Sequence, residues 1–358
     1  MGKESAMTPS GIPSVSFGVN LSNRAVVIGN VRAVDIVEAA EAAEASRLID
    51  SIWVGDSIIA KPRLEAVVAL SAIATRTARV RLGTACMATF VLRNPIVFAH
   101  QWASMDAFSE GRSLLAVCLG GQGPREFVER EFNAFGISMK DRVPRMLEGI
   151  TILRRLWSEE NVTHHGRFYK FENVTINPKP VQQPCPIWIA NNPRDPAVME
   201  RAFRRVARHA DGWMTGSLSP DQFQKTWEWV RALRRESQGT DAGFQAALHL
   251  RSNVNADREK AYAEAKEFLE AYTGFKQTRK HLEEECVIGT PEDCVGKYLD
   301  YARAGCNIII IRIVSWSLAE QLQRWVQEVI PEVRRCLGLT AVPGEGQQDR
   351  AGHRDRSF

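Results

Sequence analysis

Two runs of this chain, Gly120-Gly121-Gln122-Gly123 and Asn191-Asn192-Pro193-Arg194-Asp195, carry residue types suited to holding a planar or anionic ligand. Glycines let backbone N–H groups come close to a ligand, and the first run reads equally as a tight turn into a helix near Pro124. The second run leads into a helix N-terminus. Such an end favours a phosphate and lets Arg194 pair with it, or it is simply capped by Asp195. Asp56 and Ser57 end the short apolar run Ser51–Gly55, where Asp56 is either a site residue or a turn cap. Ala85, Cys86 and Met87 end a second such run, and Cys118 and Leu119 a third. Asn20, Arg251, Arg312 and Ser315 stand at the ends of others. The set is polar but poor in acid–base groups. His249 lies inside its run, and no H-E-x-x-H, paired-carboxylate motif or nucleophile elbow occurs. Such residues suit an enzyme whose bound cofactor supplies the chemistry.

The elements that must position these residues follow from the apolar pattern. Val80–Cys86 reads as a buried strand. Asn94-Pro95 opens a helix with Ile96, Val97, Ala99, Trp102, Ala103 and Met105 at helical spacing, and Trp102 and Trp157 are expected in the core. Glu110-Gly111-Arg112 stops that helix, and Leu114–Leu119 is the next strand. Two continuous apolar strands joined by a helix imply a parallel sheet covered on both faces. Further strands are expected at 15–20, 51–55, 186–190, 212–214, 246–250 and 307–313. Helices are expected from Asn30, as cap, to about Leu48, with Val31, Val34, Ile36 and Val37 partly inward, and at about 63–75, 141–157, 220–237 and 318–337. Thr290-Pro291 starts another helix as cap and first residue. Gly166–Tyr169 and Val174–Asn177 form a small inserted hairpin within 158–185, and Lys276–Glu285 is expected as a mobile loop. Eight strands each followed by a helix predict an α/β fold, a (β/α)8 TIM barrel, with chemistry at the C-terminal ends of the strands. An open doubly wound sheet is the alternative, but no G-x-G-x-x-G follows the first or second strand.

Composition sets the class. The chain has 358 residues, a net charge of +4, 44% hydrophobic and 25% charged residues, as expected of an ordinary soluble globular protein. Arg201, Arg204, Arg205 and Arg208 fall on one helix and read as a solvated face, so neither a nucleic acid nor a membrane is expected as partner. No apolar run reaches the roughly 18 residues that span a bilayer, and residues 1–14 lack the apolar stretch of a signal peptide. A cytoplasmic location is expected. The domain is predicted at 15–338, between a flexible N-terminus (1–14) and a disordered tail (339–358). The seven cysteines are odd in number and form no C-x-x-C pair, so neither a disulfide framework nor a zinc site is expected. Cys118 and Cys306 read as small buried hydrophobes.

Several short segments, in this order and spacing, resemble the bacterial luciferase-like flavin monooxygenase family. They are Ile52–Asp56, Arg79–Ala85, Asn94-Pro95 through Met105-Asp106 to Arg112, Gly166–Tyr169, Pro178–Gln182, Ala210–Trp213 and Gly289–Glu292. The resemblance covers nearly all of the globular part. It implies a (β/α)8 barrel that binds reduced FMN, or in one large branch the deazaflavin coenzyme F420, at the strand C-termini. Asp56, Ala85 and Cys86 would then surround the ring, with a non-prolyl cis peptide at Ala85–Cys86. Gly120 and Gly121 would run along its edge, and Asn191, Asn192 and Arg194 would hold the phosphate. Cys118 falls where luciferase carries a cysteine near the flavin. Two positions depart from the family: Ser57 stands where many members have a His, and Leu119 where luciferase has an Arg.

The implied activity is a monooxygenase that uses reduced FMN, supplied by a separate flavin reductase, and O2 to oxidise a small organic substrate, with Ser57 as hydrogen-bond donor to the reacting centre. The alternatives are an F420-dependent reductase or dehydrogenase transferring a hydride, and a non-catalytic flavin-binding protein. The family also implies a homo-dimer.

Overall fold

The computed structural model describes residues 15–29, 31–120 and 124–339. The first four strands are β1 (Ser16–Asn20), β2 (Ser51–Val54), β3 (Arg81–Thr84) and β4 (Ser113–Val117). An excursion follows, β5 (Val162–His165) and β6 (Lys170–Val174). The chain then returns through β7 (Ile187–Ala190), β8 (Gly212–Gly216), β9 (Gln245–Val254), β10 (Cys286–Gly289) and β11 (Ile308–Ile313). Parallel pairing runs β11-β1-β2-β3-β4-β7-β8, and β9 bonds both β8 and β11, which closes a ring of eight strands. This is the expected TIM barrel. β10 is a ninth strand, added in parallel beside the upper half of β9.

The barrel floor is set by alternation along the strands. Trp53, Leu114, Ala116, Trp188, Met214, Ala247, Ile308 and Ile310 form a cluster of their own, separate from the larger core between strands and helices. The two indoles fit because their neighbours are glycines. A Cβ on Gly83 would lie 2.4 Å from the Trp53 ring, and one on Gly212 2.3 Å from Trp188. Each indole removes roughly 200 Å² from water, on the order of 5 kcal/mol as an upper bound.

The helices form where the caps predict. Asn94 accepts from the Ile96 and Val97 amides ahead of the helix Pro95–Phe108. Thr290 and Asp293 make a reciprocal capping box for Pro291–Arg303. Glu110 and Gly111 both take positive φ at the exit of Pro95–Phe108, and Trp102 and Trp157 are buried.

Four expectations change. The hairpin strands are β5 and β6, so Gly166–Tyr169 is the turn between strands, closed by Gly166 N–H to the Tyr169 carbonyl. Residues 279–285 form a helix capped by Thr278, in place of a mobile loop. The second helix runs Ala33–Ala45 and leaves Val34 exposed. The last helix is broken into three pieces, with a π-helical segment at Trp325–Val329. Asn30, residues 1–14 and all of the expected tail except Leu339 lie outside the described residues. No helix among the described residues is long and apolar enough to cross a membrane.

The glycine positions predict opposite stability effects. Gly83→Ala drives a methyl into Trp53 and should lower the unfolding free energy by about 1–3 kcal/mol. Gly296→Ala, in a helix with open space around it, should raise it by about 0.5–1 kcal/mol. Urea denaturation of the two variants checks both.

Candidate active site

The C-terminal ends of β2, β3 and β4 are tied together by two buried carboxylates. Asp56 Oδ2 accepts from the Thr89 amide (2.7 Å) and the Thr89 hydroxyl (2.6 Å), while Arg93 Nη2 donates to Oδ1 at 3.1 Å. Asp56 thereby fixes the loop after β3. Glu131, on the helix Arg125–Ala134, accepts through Oε1 from the Ile58, Ile59 and Ala60 amides at 3.0, 2.8 and 3.2 Å. The Ser57 hydroxyl donates to the same oxygen (3.3 Å) and accepts from the Lys61 amide (2.9 Å). Three successive amides closing on one carboxylate oxygen make a compact loop over the end of β2. Sequence reading missed Glu131. The one signal available was an acid three residues past an apolar residue of an otherwise amphipathic helix.

Next to this loop the Ala85–Cys86 peptide is cis, as the resemblance implies. Cys86 and Cys118 are half-buried and joined by a disulfide, with Cα atoms 6.1 Å apart. This corrects the reading of Cys118 as an isolated buried hydrophobe and adds a bond where no disulfide framework was expected. The spacing of 32 residues gave no hint of it, because the pairing depends on β3 and β4 lying side by side. The ladder continues past both strands: Met87 N–H donates to the Ala116 carbonyl at 2.7 Å and Cys118 N–H to the Met87 carbonyl at 3.4 Å. Gly120 follows with φ +66°, and a Cβ there would sit 2.6 Å from the Ala88 carbonyl oxygen. Only glycine fits both conditions. Gly121 lies outside the described residues.

The β7 and β8 ends are adjacent. Asn191 Oδ1 accepts from the Trp213 indole N–H (2.8 Å), and its Nδ2 donates to the Ala202 carbonyl (3.3 Å). Asn192 Nδ2 donates to the Gly216 carbonyl at 2.6 Å. Both side chains therefore shape the loop, and the Asn191 N–H is itself engaged, donating to the Met214 carbonyl at 3.0 Å. Arg194 is exposed and pairs with Glu285 at 2.6 Å. That links the loop to the helix Arg279–Glu285 and uses the side chain expected at a phosphate. Asp195 caps the helix Pro196–His209 through the Ala197 amide.

Across the mouth, the alternation that points Ala247 and Ile310 inward also brings His249, Arg251 and Arg312 into the upper layer of the barrel. His249 Nε2 and Arg312 Nη2 are buried without a hydrogen-bond partner. Burial, reinforced by Arg312 and Arg251, holds the His249 pKa well below its ordinary value, so the ring is neutral.

Fold and mouth together define a (β/α)8 barrel with one polar, carboxylate-braced site at its strand C-termini. The chain belongs to the luciferase-like monooxygenase family, whose model matches residues 15–307; members of that family are oxidoreductases. The chain is 26% identical over 328 residues to the F420-dependent glucose-6-phosphate dehydrogenase of Amycolatopsis mediterranei, covering 84% of this chain and 94% of that enzyme. Among solved structures it is similar to the monooxygenase RslO1 from Streptomyces bottropensis, at 26% identity and a TM-score of 0.70, covering 88% of this chain and 99% of the other. An F420-dependent secondary alcohol dehydrogenase shares the fold at 19% identity and a TM-score of 0.75, covering 90% and 99%.

Two measurements follow from this geometry. Glu131→Ala strands three amides and a hydroxyl and should cost about 2–4 kcal/mol in chemical denaturation, with faster hydrogen exchange at residues 58–61. His249 binds its proton more weakly folded than unfolded. Below about pH 6.5 the unfolded state therefore takes up the extra proton, and stability falls with pH by at most about 1.4 kcal/mol per unit. His249→Gln removes this contribution, so its stability should fall less steeply than wild type between neutral pH and the acid limit.

Proposed function

We propose that this protein is a monooxygenase that acts with reduced FMN and O2 on a small organic substrate, the FMN being reduced by a separate enzyme. The observation that carries this reading is the commitment of Asp56 and Ser57. Every oxygen of the pair is engaged with Thr89, Arg93, Glu131 or the Lys61 amide, which leaves neither Asp56 nor Ser57 free to move a proton. Taking a hydride from an alcohol calls for such a group, whereas oxygen insertion draws on the cofactor. The 26% identity to a monooxygenase along 99% of its length supports the same reading.

The mouth fits a reduced flavin in two respects. Buried nitrogens of Arg312 and His249 lack partners, and Arg251 adds positive charge beside them. Ala85, Cys86 and Cys118 would lie against the ring, with Gly120 and Gly121 along its edge. Asn191, whose own N–H is held by the Met214 carbonyl, would set the loop so that the Asn192 backbone meets the phosphate, and Arg194 would join it by leaving Glu285. When bound, reduced FMN supplies two electrons and activates oxygen. Asp56 and Glu131 act as positioning residues, holding the two loops that border the ring. Arg251 and Arg312 favour negative charge at the mouth. Ser57, with its hydroxyl engaged by Glu131, orients the β2 loop and contributes a dipole in place of an ionisable donor.

A second reading, hydride transfer with F420, is favoured by one observation. His249 is neutral and its free Nε2 faces the barrel interior, where it could take a proton from a substrate hydroxyl. The curated relative from A. mediterranei, named for its F420 dependence, supports it.

Anaerobic titration with reduced FMN and with reduced F420, followed by admission of O2, separates the two. Micromolar or tighter FMN binding and an oxygen-dependent absorbance transient are expected. Selective F420 binding with no oxygen-dependent step would overturn the monooxygenase in favour of hydride transfer, and loss of turnover in His249→Gln would then identify the base.

A further inference from the structure

We infer that the β11–β1–β2 side of the mouth is a recognition site for an anionic oxygen group, a carboxylate or phosphate carried by the substrate; the assignment to a substrate rests on the function proposed above. Tyr272, buried in the last turn of the helix Arg258–Thr273, is the centre of the site. The guanidinium carbon of Arg312 stands 4.3 Å from its ring centroid, that of Arg24 5.4 Å and that of Arg63 5.9 Å. Arg63 Nη1 occupies the space that a Cβ on Gly55 would fill, which brings this guanidinium over the end of β2 and into the mouth. Arg24 is anchored by bonds to the Tyr272 and Pro62 carbonyls.

The decisive feature is what these cations lack. Among the described residues, none of Arg24, Lys61, Arg63 and Arg312 forms an ion pair, although ion pairs are abundant elsewhere on the molecule. The nearby carboxylates are engaged. Glu285 pairs with Arg194 at 2.6 Å and lies 3.8 Å from both Arg251 and His281. Glu264 accepts from Asn253 and Ser315, and Glu65 faces Arg93. Arg312 Nη2 is buried with no acceptor at all. Cations held this close without counter-charge are stabilised when an anion enters.

Titration behaviour points the same way. Burial, joined by Arg312, Arg63 and Arg251, lowers the Lys61 ammonium to about 8. Burial pushes the Tyr272 hydroxyl up, but Arg312, Arg63, Lys61 and Arg24 together outweigh it and bring it down to about 8. The field around Tyr272 is strongly positive, and three guanidinium groups stand 4.3–5.9 Å from its ring centroid. The site lies across the barrel from the Asn191–Arg194 loop, so an anion there leaves that loop free for a cofactor phosphate.

The test is isothermal titration calorimetry of the full chain with inorganic phosphate and with malonate, at constant ionic strength. Saturable binding of at least one anion is expected, weakened about tenfold or more by Arg312→Met and by Arg63→Met, and unchanged by Arg201→Met on an exposed helix face. Absence of saturable binding, or equal loss in the Arg201 control, overturns the site. Repeating the titration with saturating reduced FMN or F420 distinguishes the source of the anion. Unchanged affinity supports a substrate group; competition assigns the site to the cofactor's own phosphate and overturns the substrate assignment. Should neither cofactor bind while the anion pattern persists, the functional reading fails and the anion site stands.

Discussion

The constraint on which the rest depends is the plug of two indoles at the barrel floor. Trp53 and Trp188 fill the interior only because Gly18, Gly83 and Gly212 stand opposite them without side chains. A floor closed in this way leaves one route inward, from the C-terminal ends of the strands. Strand alternation then decides what lines that route. One layer above the apolar cluster, the inward positions of β9 and β11 are His249, Arg251 and Arg312. The polarity of the mouth is therefore a continuation of the same periodicity that makes the floor apolar.

Charge is divided between two tasks in this molecule. Buried carboxylates hold backbone. Asp56 secures the loop after β3, and Glu131 closes the loop after β2. Asp106 accepts from the Gln182 amide and the Ser113 hydroxyl, which seats the segment leaving the hairpin against β4. Each is a charge whose desolvation is offset by several donors aimed at it. The cations around Tyr272 have carbonyl partners at Arg24 and Arg63 but no counter-charge among the described residues. A barrel that had evolved only to be stable would neutralise or remove them, because an unpaired buried charge costs more than an apolar replacement. Their persistence at the entrance makes sense if charge is supplied from outside.

Much of this was legible from the residues. The eight barrel strands, the caps at Asn94 and Thr290, and the grouping of Asp56, Ser57, Ala85, Cys86, Cys118 and Gly120 follow from apolar runs ending in polar or glycine residues. The failures share a cause. Gly166–Tyr169 looks extended in the sequence, yet the hairpin register puts it in the turn between β5 and β6. Residues 279–285 look like a charged loop because only Leu282 is buried. The helix is held by the Thr278 cap and by ion pairs of Arg279 with Glu259 and of Glu285 with Arg194, partners that come from elsewhere in the fold. Glu131, Lys61, Arg63 and Tyr272 carry no local motif. They become a site only when the helix Arg258–Thr273 and the loop after β2 meet over the barrel, a juxtaposition that no spacing records.

Choice of cofactor is a separate question from fold, since relatives named for monooxygenation and for F420 dependence share this barrel. What differs must lie in the groups that face the reacting atoms. At the end of β2 the chain carries a hydroxyl whose partner is a buried carboxylate, and that hydroxyl also accepts from the Lys61 amide. A serine so held can orient a neighbour but has little freedom to exchange a proton with a ligand. Besides Lys61 in the same loop, the ionisable nitrogen at the mouth is that of His249 on β9. Burial and two arginines keep it neutral. Any proton it accepted would have to be held beside Arg251 and Arg312, which disfavours the imidazolium and makes His249 a weak base while the mouth is otherwise empty of negative charge. An anion bound among Arg312, Arg63 and Tyr272 would relieve that repulsion and raise the basicity of His249. Substrate charge and proton transfer would in this way be coupled through one cluster of cations.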